Sequence, residues 1–486
     1  MSSTAAPPLR SFSKLFIGGR WAEPSSSDRI EVISPVTEEL IGHVPATQPA
    51  DIDAAVQAAR EAFDHGPWPR MSPSERAGYL LRIREEVQGR LEEMCWAFTQ
   101  EIGAPLPISK LFHENALKMW TDGATLYQRF AFEETRDTPD GPVTVLREPV
   151  GVVGTIIPWN GPVATASLKL APALAYGNAV LLKPAPAATA TAMRLGELVG
   201  VHLPAGLLAV LPGGAATGQA VLGAVDALSF TGSAAVGAAL ATDAVRRGIP
   251  VQAEMGGQNP SVVLEDADHE TAASIIAGAA MGYAGQKCTA TSRVVVTGDA
   301  AGFVDALVAA VERLPVGDPG AAATVVGPVI TEAARRAVVA GADAVTAAGG
   351  RVLTGGRSLA RDGFFVAPTV VGGIDPSHRV AQEEIFGPIV AVLPARDLEE
   401  AIAFANGVRY GLAAALFTRD LDRALGVLPR LEAGLVRVNA PTSGVDLYAP
   451  FGGVKDSSIG PREQGKAARE FFTWTQTATI APAGGS

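Results

Sequence analysis

The residue with the clearest capacity for chemistry is Cys288, in the segment Gly285-Gln-Lys-Cys-Thr289. A cysteine thiolate is a nucleophile, and a neighbouring lysine or a helix end can lower the thiol pKa from its usual value of about 8.5. A lone cysteine often serves only as a small buried apolar residue. Here the polar neighbours, after an apolar helical segment and before the strand-like segment 293–296, favour a loop. We therefore predict that Cys288 is a candidate nucleophile.

A second candidate is Glu254, in Val251-Gln-Ala-Glu-Met-Gly-Gly257. Taken alone, this glutamate could equally be a surface residue. In an apolar cleft its pKa would rise, and its carboxylate could take a proton from a thiol or a water molecule. The two glycines that follow would let the backbone pass close to a ligand. The segment is thus compatible with a general base.

Three further segments carry weaker signals. Asn160 lies in Pro158-Trp-Asn-Gly-Pro162, after an apolar strand, where its amide could donate to an oxyanion, although a turn would also explain it. Phe230-Thr-Gly-Ser-Ala-Ala-Val-Gly237 leads from a strand into a helix, and Ser233 with nearby backbone N–H groups could hold a pyrophosphate. Glu383-Glu-Ile-Phe-Gly-Pro388 by itself indicates only a turn. No GxGxxG motif occurs in the chain.

Composition limits the kind of protein that can present these residues. A chain of 486 residues with 48% apolar residues, 53 Gly and 35 Pro predicts two or three α/β domains. The net charge of −11 disfavours nucleic acid as a partner, and no apolar run is long enough for a membrane span. The N-terminus lacks the pattern of a secretory signal, and two distant cysteines favour a reducing, cytoplasmic setting without a thiolate metal site.

The elements that must position these residues alternate regularly. Strands are predicted at 150–158, 179–183, 207–211 and 227–230, with helices at 168–175 and 189–201 between them. This βαβαβ order predicts a parallel, doubly wound sheet. A second alternation follows residue 258. Outside these blocks we predict a small β region at 16–45, helices at 51–63 (capped by Asp51) and 74–96, a strand at 143–147, and a helix end with a terminal strand at 468–480.

Taken together and in this order, the motifs PWN, the Gly-Ser loop, EMGG, GQKC, EEIFGP and Pro450-Phe-Gly-Gly453 resemble those of the aldehyde dehydrogenase superfamily. The resemblance extends from about Phe16 to Thr477. It implies an α/β fold with a variant Rossmann cofactor domain, an α/β catalytic domain and a small β oligomerisation arm. The domains expected from it are residues 1–128 and 150–257 for the cofactor, 258–456 for catalysis, and 129–149 with 457–486 for the arm. A homodimer or homotetramer is expected.

The resemblance also implies roles for the candidate residues. Cys288 would attack the aldehyde to form a thiohemiacetal and then a thioester, with the Asn160 amide and the Cys288 backbone N–H binding the oxyanion. Glu254 would activate the water that releases the acid, and Lys183 is carried over as a further catalytic residue. Alternatives are a CoA-acylating dehydrogenase, against which Glu254 argues, a cofactor-independent thiol esterase, and an inactive relative, against which the intact motifs argue.

NAD is the cofactor that the resemblance implies, and no metal is required. The variant Rossmann fold of the family binds it without the usual glycine motif. Lys183-Pro-Ala-Pro186 lacks the Glu that many NAD-selective members carry three residues after the lysine, so NADP remains open. The residues carried over as cofactor-binding are Ile157, Trp159, Lys183, Gly213, Ser233, Glu384 and Phe386.

The substrate, a small-molecule aldehyde, would reach Cys288 through a tunnel. The tunnel positions carried over are Gly161, Thr165, Leu168, Gly282, Lys287, Thr289, Val445 and Phe451. Several of these are small where family members are often bulky, so we expect a wide apolar tunnel for a bulky or long aldehyde, unless neighbouring side chains fill the space. Segments 441–446 and 457–465 also resemble semialdehyde dehydrogenases that act on oxo-acids. That alternative would need an arginine in the tunnel, which the sequence alone does not locate.

Overall fold

The computed structural model describes residues 8–444, 446–465 and 467–479 and has a mixed α/β fold, as predicted. The strands are β1 Leu15–Ile17, β2 Arg20–Ala22, β3 Arg29–Ile33, β4 Leu40–Pro45, β5 Glu133–Thr138, β6 Gly141–Pro149, β7 Val152–Ile157, β8 Ala179–Pro184, β9 Leu208–Val210, β10 Ala227–Thr231, β11 Val251–Glu254, β12 Asn259–Val263, β13 Thr291–Val296, β14 Arg351–Thr354, β15 Thr369–Gly372, β16 Ile389–Pro394, β17 Tyr410–Gly411, β18 Ala413–Phe417, β19 Leu435–Val438, β20 Val454–Lys455, β21 Ser458–Ile459 and β22 Thr473–Thr479. The α-helices are α1 Pro49–Asp64, α2 Pro73–Gly89, α3 Leu91–Ile102, α4 Leu106–Thr125, α5 Pro162–Ala175, α6 Thr189–Gly200, α7 Ala215–Ala224, α8 Ala234–Arg247, α9 His269–Met281, α10 Ala300–Glu312, α11 Glu332–Ala347, α12 Arg379–Gln382, α13 Leu398–Asn406, α14 Leu421–Val427 and α15 Ala467–Phe472.

The first large sheet has the strand order β2-β1-β9-β8-β7-β10-β11-β21. Its five central strands, β9 to β11 in that order, are all parallel, which confirms the predicted parallel sheet. Every residue of β7 and β8 is buried. Near-continuous apolar strands of this kind are typical of parallel sheets that helices cover on both faces.

The second large sheet has the order β14-β15-β16-β13-β12-β18-β19. All its pairs are parallel except the edge pair β14–β15. This sheet carries the second alternation of strands and helices that the sequence predicts after residue 258. The loop that precedes β13 contains Cys288, so the sheet supports the candidate nucleophile.

A third sheet is small, with the order β22-β6-β5. It joins the chain end to the hairpin at residues 133–149 along seven residue pairs between β22 and β6. The preceding C-terminal residues lie elsewhere: β21 pairs with β11 in the first large sheet, and Phe471 and Phe472 pack into that sheet's core. The boundaries of the domains stay a prediction.

Local structure differs from the sequence-based predictions at several helices. The helix predicted at 74–96 is two helices, because Arg90 leaves the helical conformation with φ −114° and ψ 15°. Helix α1 begins earlier than predicted, and Asp51 lies in its first turn, where its carboxylate accepts hydrogen bonds from the Gln48 and Ser25 N–H groups. Helices α4 and α7 were not predicted, and α5 begins at Pro162 rather than at residue 168.

Candidate active site

Four of the candidate residues lie at one edge of the first large sheet. Asn160 and Ser233 follow the C-terminal ends of β7 and β10. Lys183 is the penultimate residue of β8, and Glu254 is the last residue of β11. Since these strands are parallel, their carboxyl ends meet at the same edge. That edge is where open α/β sheets bind ligands.

Cys288 lies on a loop that begins with an unusual turn at residues 282–285. Tyr283, Ala284 and Gly285 have φ values of 60°, 52° and 67°, a left-handed conformation that Tyr and Ala rarely adopt. The Tyr283 N–H donates to the Val325 carbonyl over 2.9 Å, which helps to hold the turn. Such strain persists only when surrounding contacts enforce it, and it is frequent at functional sites.

Two asparagines tie this loop to the strand ends. The Asn160 Nδ2 donates to the Gln286 carbonyl over 2.9 Å. The Asn259 Nδ2 donates to the carbonyls of Cys288 and Ala290, each over 2.8 Å. The nucleophile's backbone is thus fixed from both large sheets. Asn160 lies next to the loop of Cys288, although its role as an oxyanion donor stays a prediction.

Glu254 is buried, with 2% of its surface exposed. Ser458 Oγ donates to one carboxylate oxygen, and the other oxygen has no hydrogen-bond partner among the described residues. Burial, and then the charge of Glu463, raise the pKa of Glu254 to about 8. A carboxyl group with this pKa and a free oxygen is suited to accept a proton near neutral pH.

The pKa of the Cys288 thiol is raised, whereas the sequence suggested that neighbouring groups lower it. Burial, followed by the charges of Glu384, Glu254 and Glu463, raises the pKa of the thiol to about 12. The adjacent Lys287 does not offset these effects, and burial lowers its own pKa to about 8. The thiol is therefore protonated near neutral pH, and a base must remove its proton.

The predicted cofactor residues Trp159 and Phe386 are in contact, with ring centroids 5.6 Å apart at an interplanar angle of 82°. Next to them, the Gly257 N–H donates to Glu384 Oε1 over 3.1 Å. A Cβ at Gly256 would lie only 2.0 Å from the other Glu384 oxygen, so the glycine makes room for this carboxylate. Burial raises the pKa of Glu384 to about 7.

The remaining predicted cofactor residues line the sheet edge. Ile157 ends β7, and a Cβ on Gly213 would lie 2.0 Å from Thr217 Oγ1, so only glycine fits there. The amine of Lys183 is buried without a hydrogen bond to any described residue, and exposed Ser233 precedes α8 without capping its first turn. A free buried donor and a free helix N-terminus fit the hydroxyls and phosphates of a dinucleotide.

At two of the predicted tunnel positions, neighbouring side chains fill the space that glycine leaves. A Cβ on Gly161 would meet the Phe112 ring at 3.4 Å and Thr165 Oγ1 at 3.6 Å. A Cβ on Gly282 would meet the Lys287 amine at 3.7 Å. The space beside these two glycines is therefore narrower than their small size suggests.

Leu168 lies on a partly open cavity with mainly apolar walls. Its other apolar side chains come from Met119, Leu126, Pro172, Leu447 and Ala468. Of the other predicted tunnel residues, Phe451 pairs with Glu463 through two backbone hydrogen bonds, and the Thr289 carbonyl accepts from Thr442 Oγ1 over 2.7 Å. Val445 lies outside the described residues.

Sequence reasoning missed the residues that surround Glu254. Ser458 binds it directly, and a buried pair of Lys169 and Glu463 sets its electrostatic environment. Lys169 Nζ also donates to Ser229 Oγ over 2.8 Å. Lys169 and Glu463 are 294 positions apart in the chain, so no local spacing could have indicated the pair.

Comparison with known proteins agrees with this geometry. Residues 21–478 match the model of the aldehyde dehydrogenase family. The alpha-ketoglutaric semialdehyde dehydrogenase of Bacillus subtilis is 37% identical, covering 96% of this chain and 98% of that protein. The geranial dehydrogenase of Castellaniella defragrans is 36% identical, covering 93% and 95% respectively.

Solved structures are equally similar. The Mycobacterium tuberculosis aldehyde dehydrogenase complexed with NAD⁺ superimposes with a TM-score of 0.94 at 37% sequence identity, covering 98% of this chain and 99% of that one. The chain therefore belongs to the aldehyde dehydrogenase family, oxidoreductases that act on aldehydes. In the described part of the chain, no helix could cross a membrane and no group of side chains forms a metal site.

Proposed function

We propose that this protein oxidises an aldehyde to the carboxylic acid through a thioester on Cys288 that water hydrolyses, without coenzyme A. The observation that carries the proposal is the buried Glu254 carboxylate. One of its oxygens is free of partners among the described residues, and its charge acts on the Cys288 thiol. A base in this position can serve both the thiol and a hydrolytic water.

The chain's own residues supply the binding and proton transfers. Glu254 takes the thiol proton, and the Cys288 sulfur attacks the aldehyde carbon. The Asn160 amide and the Cys288 N–H donate to the resulting oxyanion, a kind of contact whose loss typically lowers the rate about 10²–10³-fold. After oxidation to the thioester, Glu254 releases that proton to solvent and takes one from the attacking water. The acid then leaves as Glu254 returns this proton to the Cys288 sulfur.

For the cofactor we propose NAD, as in the Mycobacterium tuberculosis complex. When bound, NAD supplies the acceptor for the two electrons that the oxidation releases. Lys183 and Glu384 would hold the ribose hydroxyls, and Ser233 with the N-terminus of α8 would hold the pyrophosphate. Trp159 and Phe386, with Ile157 and Gly213, would line the rest of the site. Because residue 186 is Pro, no carboxylate there repels a 2′-phosphate, and NADP stays open.

Two substrate classes each have one observation in their favour. The apolar cavity beside Leu168 supports the predicted bulky or long apolar aldehyde. The Lys287 amine beside Gly282 supports the alternative, an oxo-acid semialdehyde, and one relative acts on such a substrate by name. The two free cysteines support the predicted cytoplasmic setting.

The proposal is tested by following reduced nicotinamide with NAD or NADP over a panel of aldehydes, with and without CoA. The panel spans acetaldehyde, octanal, benzaldehyde, a terpenoid aldehyde and an oxo-acid semialdehyde. We expect turnover that does not need CoA and that Cys288→Ala abolishes. Turnover that requires CoA, survives in Cys288→Ala, or proceeds mainly as ester hydrolysis without cofactor would contradict the proposal.

A further inference from the structure

Lys287, the residue directly before the nucleophile, has a side chain whose position serves none of the steps above. It is partly buried on the loop between the strained turn at 282–285 and β13. Its amine lies 3.7 Å from the point where a Cβ on Gly282 would stand, and Val325 lies 3.9 Å from the same point. Because Gly282 has no side chain, the amine occupies the space beside it, on the turn that leads to Cys288.

The amine has no counter-ion in the described part of the chain. The Lys287 amine makes no hydrogen bond or ion pair there, whereas the amine of the buried Lys169 pairs with Glu463. An ammonium group taken from water without a partner is strongly disfavoured. Binding of an anion beside the amine would remove that penalty.

The titratable groups around Lys287 do not supply the missing charge. Glu383 and Glu384 line the same cavity as Lys287, but Glu383 is exposed and Glu384 binds the Gly257 N–H instead. Tyr283, on the adjoining turn, is fully buried, and its pKa is raised well above the usual value, so it stays neutral. Cys288 is protonated near neutral pH.

We propose that the Lys287 ammonium binds a carboxylate on the substrate and makes the enzyme prefer short aldehydes that carry a carboxylate at their far end. The inference rests on the proposed thioester route, which requires the aldehyde carbon to reach Cys288. The charge of Cys288 acts on the Lys287 amine, so the two side chains lie close enough to contact the two ends of one small molecule. This favours the oxo-acid semialdehyde class over the apolar one.

The inference has a pH signature of its own. Burial lowers the pKa of Lys287 to about 8, and a bound carboxylate would raise it again. The amine is charged below that pKa and neutral above it. The KM for an anionic aldehyde therefore rises as the pH increases above about 8, while the KM for an uncharged aldehyde of similar length does not follow this change.

The experiment compares kcat/KM for 4-oxobutanoate and pentanal in the wild type, Lys287→Met, Lys287→Arg and Lys110→Met. Lys110 is an exposed lysine on α4 and serves as the matched control. Loss of a charge-assisted hydrogen bond predicts that Lys287→Met lowers the 4-oxobutanoate to pentanal ratio about 10- to 100-fold. Lys287→Arg should retain most of the preference, and Lys110→Met should leave the ratio unchanged.

Three results would overturn the inference: an unchanged ratio in Lys287→Met, an equal change in Lys110→Met, or a wild-type KM for 4-oxobutanoate that stays constant across pH 8. A fall in kcat for both aldehydes with a constant ratio would assign Lys287 to the thiol instead. Cys288→Ala separates this failure from that of the proposed function. If Cys288→Ala is inactive while Lys287→Met leaves the ratio of kcat/KM values unchanged, only the carboxylate-binding role is wrong.

Discussion

At the scale of single residues, the raised pKa of Glu254 predicts how the hydrolytic step depends on pH. The carboxyl group accepts a proton only when it is ionised, and burial with the Glu463 charge raises its pKa to about 8. The hydrolysis rate should therefore rise with pH through about 8 and level off above it. Steady-state kcat from pH 6 to 10 measures this, provided that hydrolysis limits turnover.

Glu254→Gln supplies the comparison. The amide keeps the shape of the side chain but cannot accept the proton, so kcat should fall about 10²–10⁴-fold. If thiol deprotonation is the less affected step, a burst of about one reduced cofactor per site should remain. A Gln variant that keeps the same rise in kcat through pH 8 would show that another group is the base.

The raised pKa of the Cys288 thiol leads to a second prediction, which concerns its rate of alkylation. After burial, the charge of Glu384 is the largest cause that raises its pKa. Glu384→Gln should lower the thiol pKa and speed alkylation by iodoacetamide at pH 8, in the absence of cofactor. Glu383→Gln is the matched control, because Glu383 is exposed and is not among the causes of the shift. Equal alkylation rates in the wild type and Glu384→Gln would contradict this account.

At the scale of elements, Asn259 joins three segments around the nucleophile. Its amide nitrogen binds the carbonyls of Cys288 and Ala290, and its Oδ1 accepts from the Ala413 N–H over 2.9 Å. Asn259→Ala leaves these buried groups unpaired, so we expect a destabilisation of about 1–3 kcal/mol. We also expect slower acylation with an unchanged affinity for NAD, because the loop loses its tether.

Chemical denaturation and single-turnover formation of reduced cofactor measure the two effects. Thr442→Val is a suitable control, because it removes the bond to the Thr289 carbonyl one residue further along the same loop. If Asn259→Ala lowers stability but acylates at the wild-type rate, Asn259 is a structural residue only.

The elements also show what sequence could predict. The strands between 150 and 230, and the helices except α7, were predicted because a buried parallel strand is a continuous apolar run, and turn residues mark its ends. Helix α4 was missed, as was the role of Phe112 on it, which fills the space beside Gly161. Ser458 reaches Glu254 across 204 positions, and such contacts depend on the fold of the whole chain.

At the scale of the whole molecule, the two large sheets supply different parts of one site. The first provides Glu254, Asn160 and Lys183 at the carboxyl ends of its strands, and the second supports the loop of Cys288. Asn160 and Asn259 connect that loop to strands of both sheets. The family resemblance, rather than any single motif, predicted this combination, since each motif taken alone had an ordinary structural explanation.

The small sheet predicts how copies of the chain assemble. Strand β5 is exposed along its whole length, and in the described part of the chain its only sheet partner is β6. An open strand edge is a template for pairing with another chain. We therefore expect light scattering to give the mass of a dimer or tetramer, with β5 at the contact.

Thr135→Pro removes a backbone donor from the middle of β5 and should lower the mass, whereas Thr135→Val keeps a β-branched residue and should not. Circular dichroism would confirm that both variants fold. A monomeric wild type, or a Thr135→Pro variant of unchanged mass, would exclude this edge as the contact.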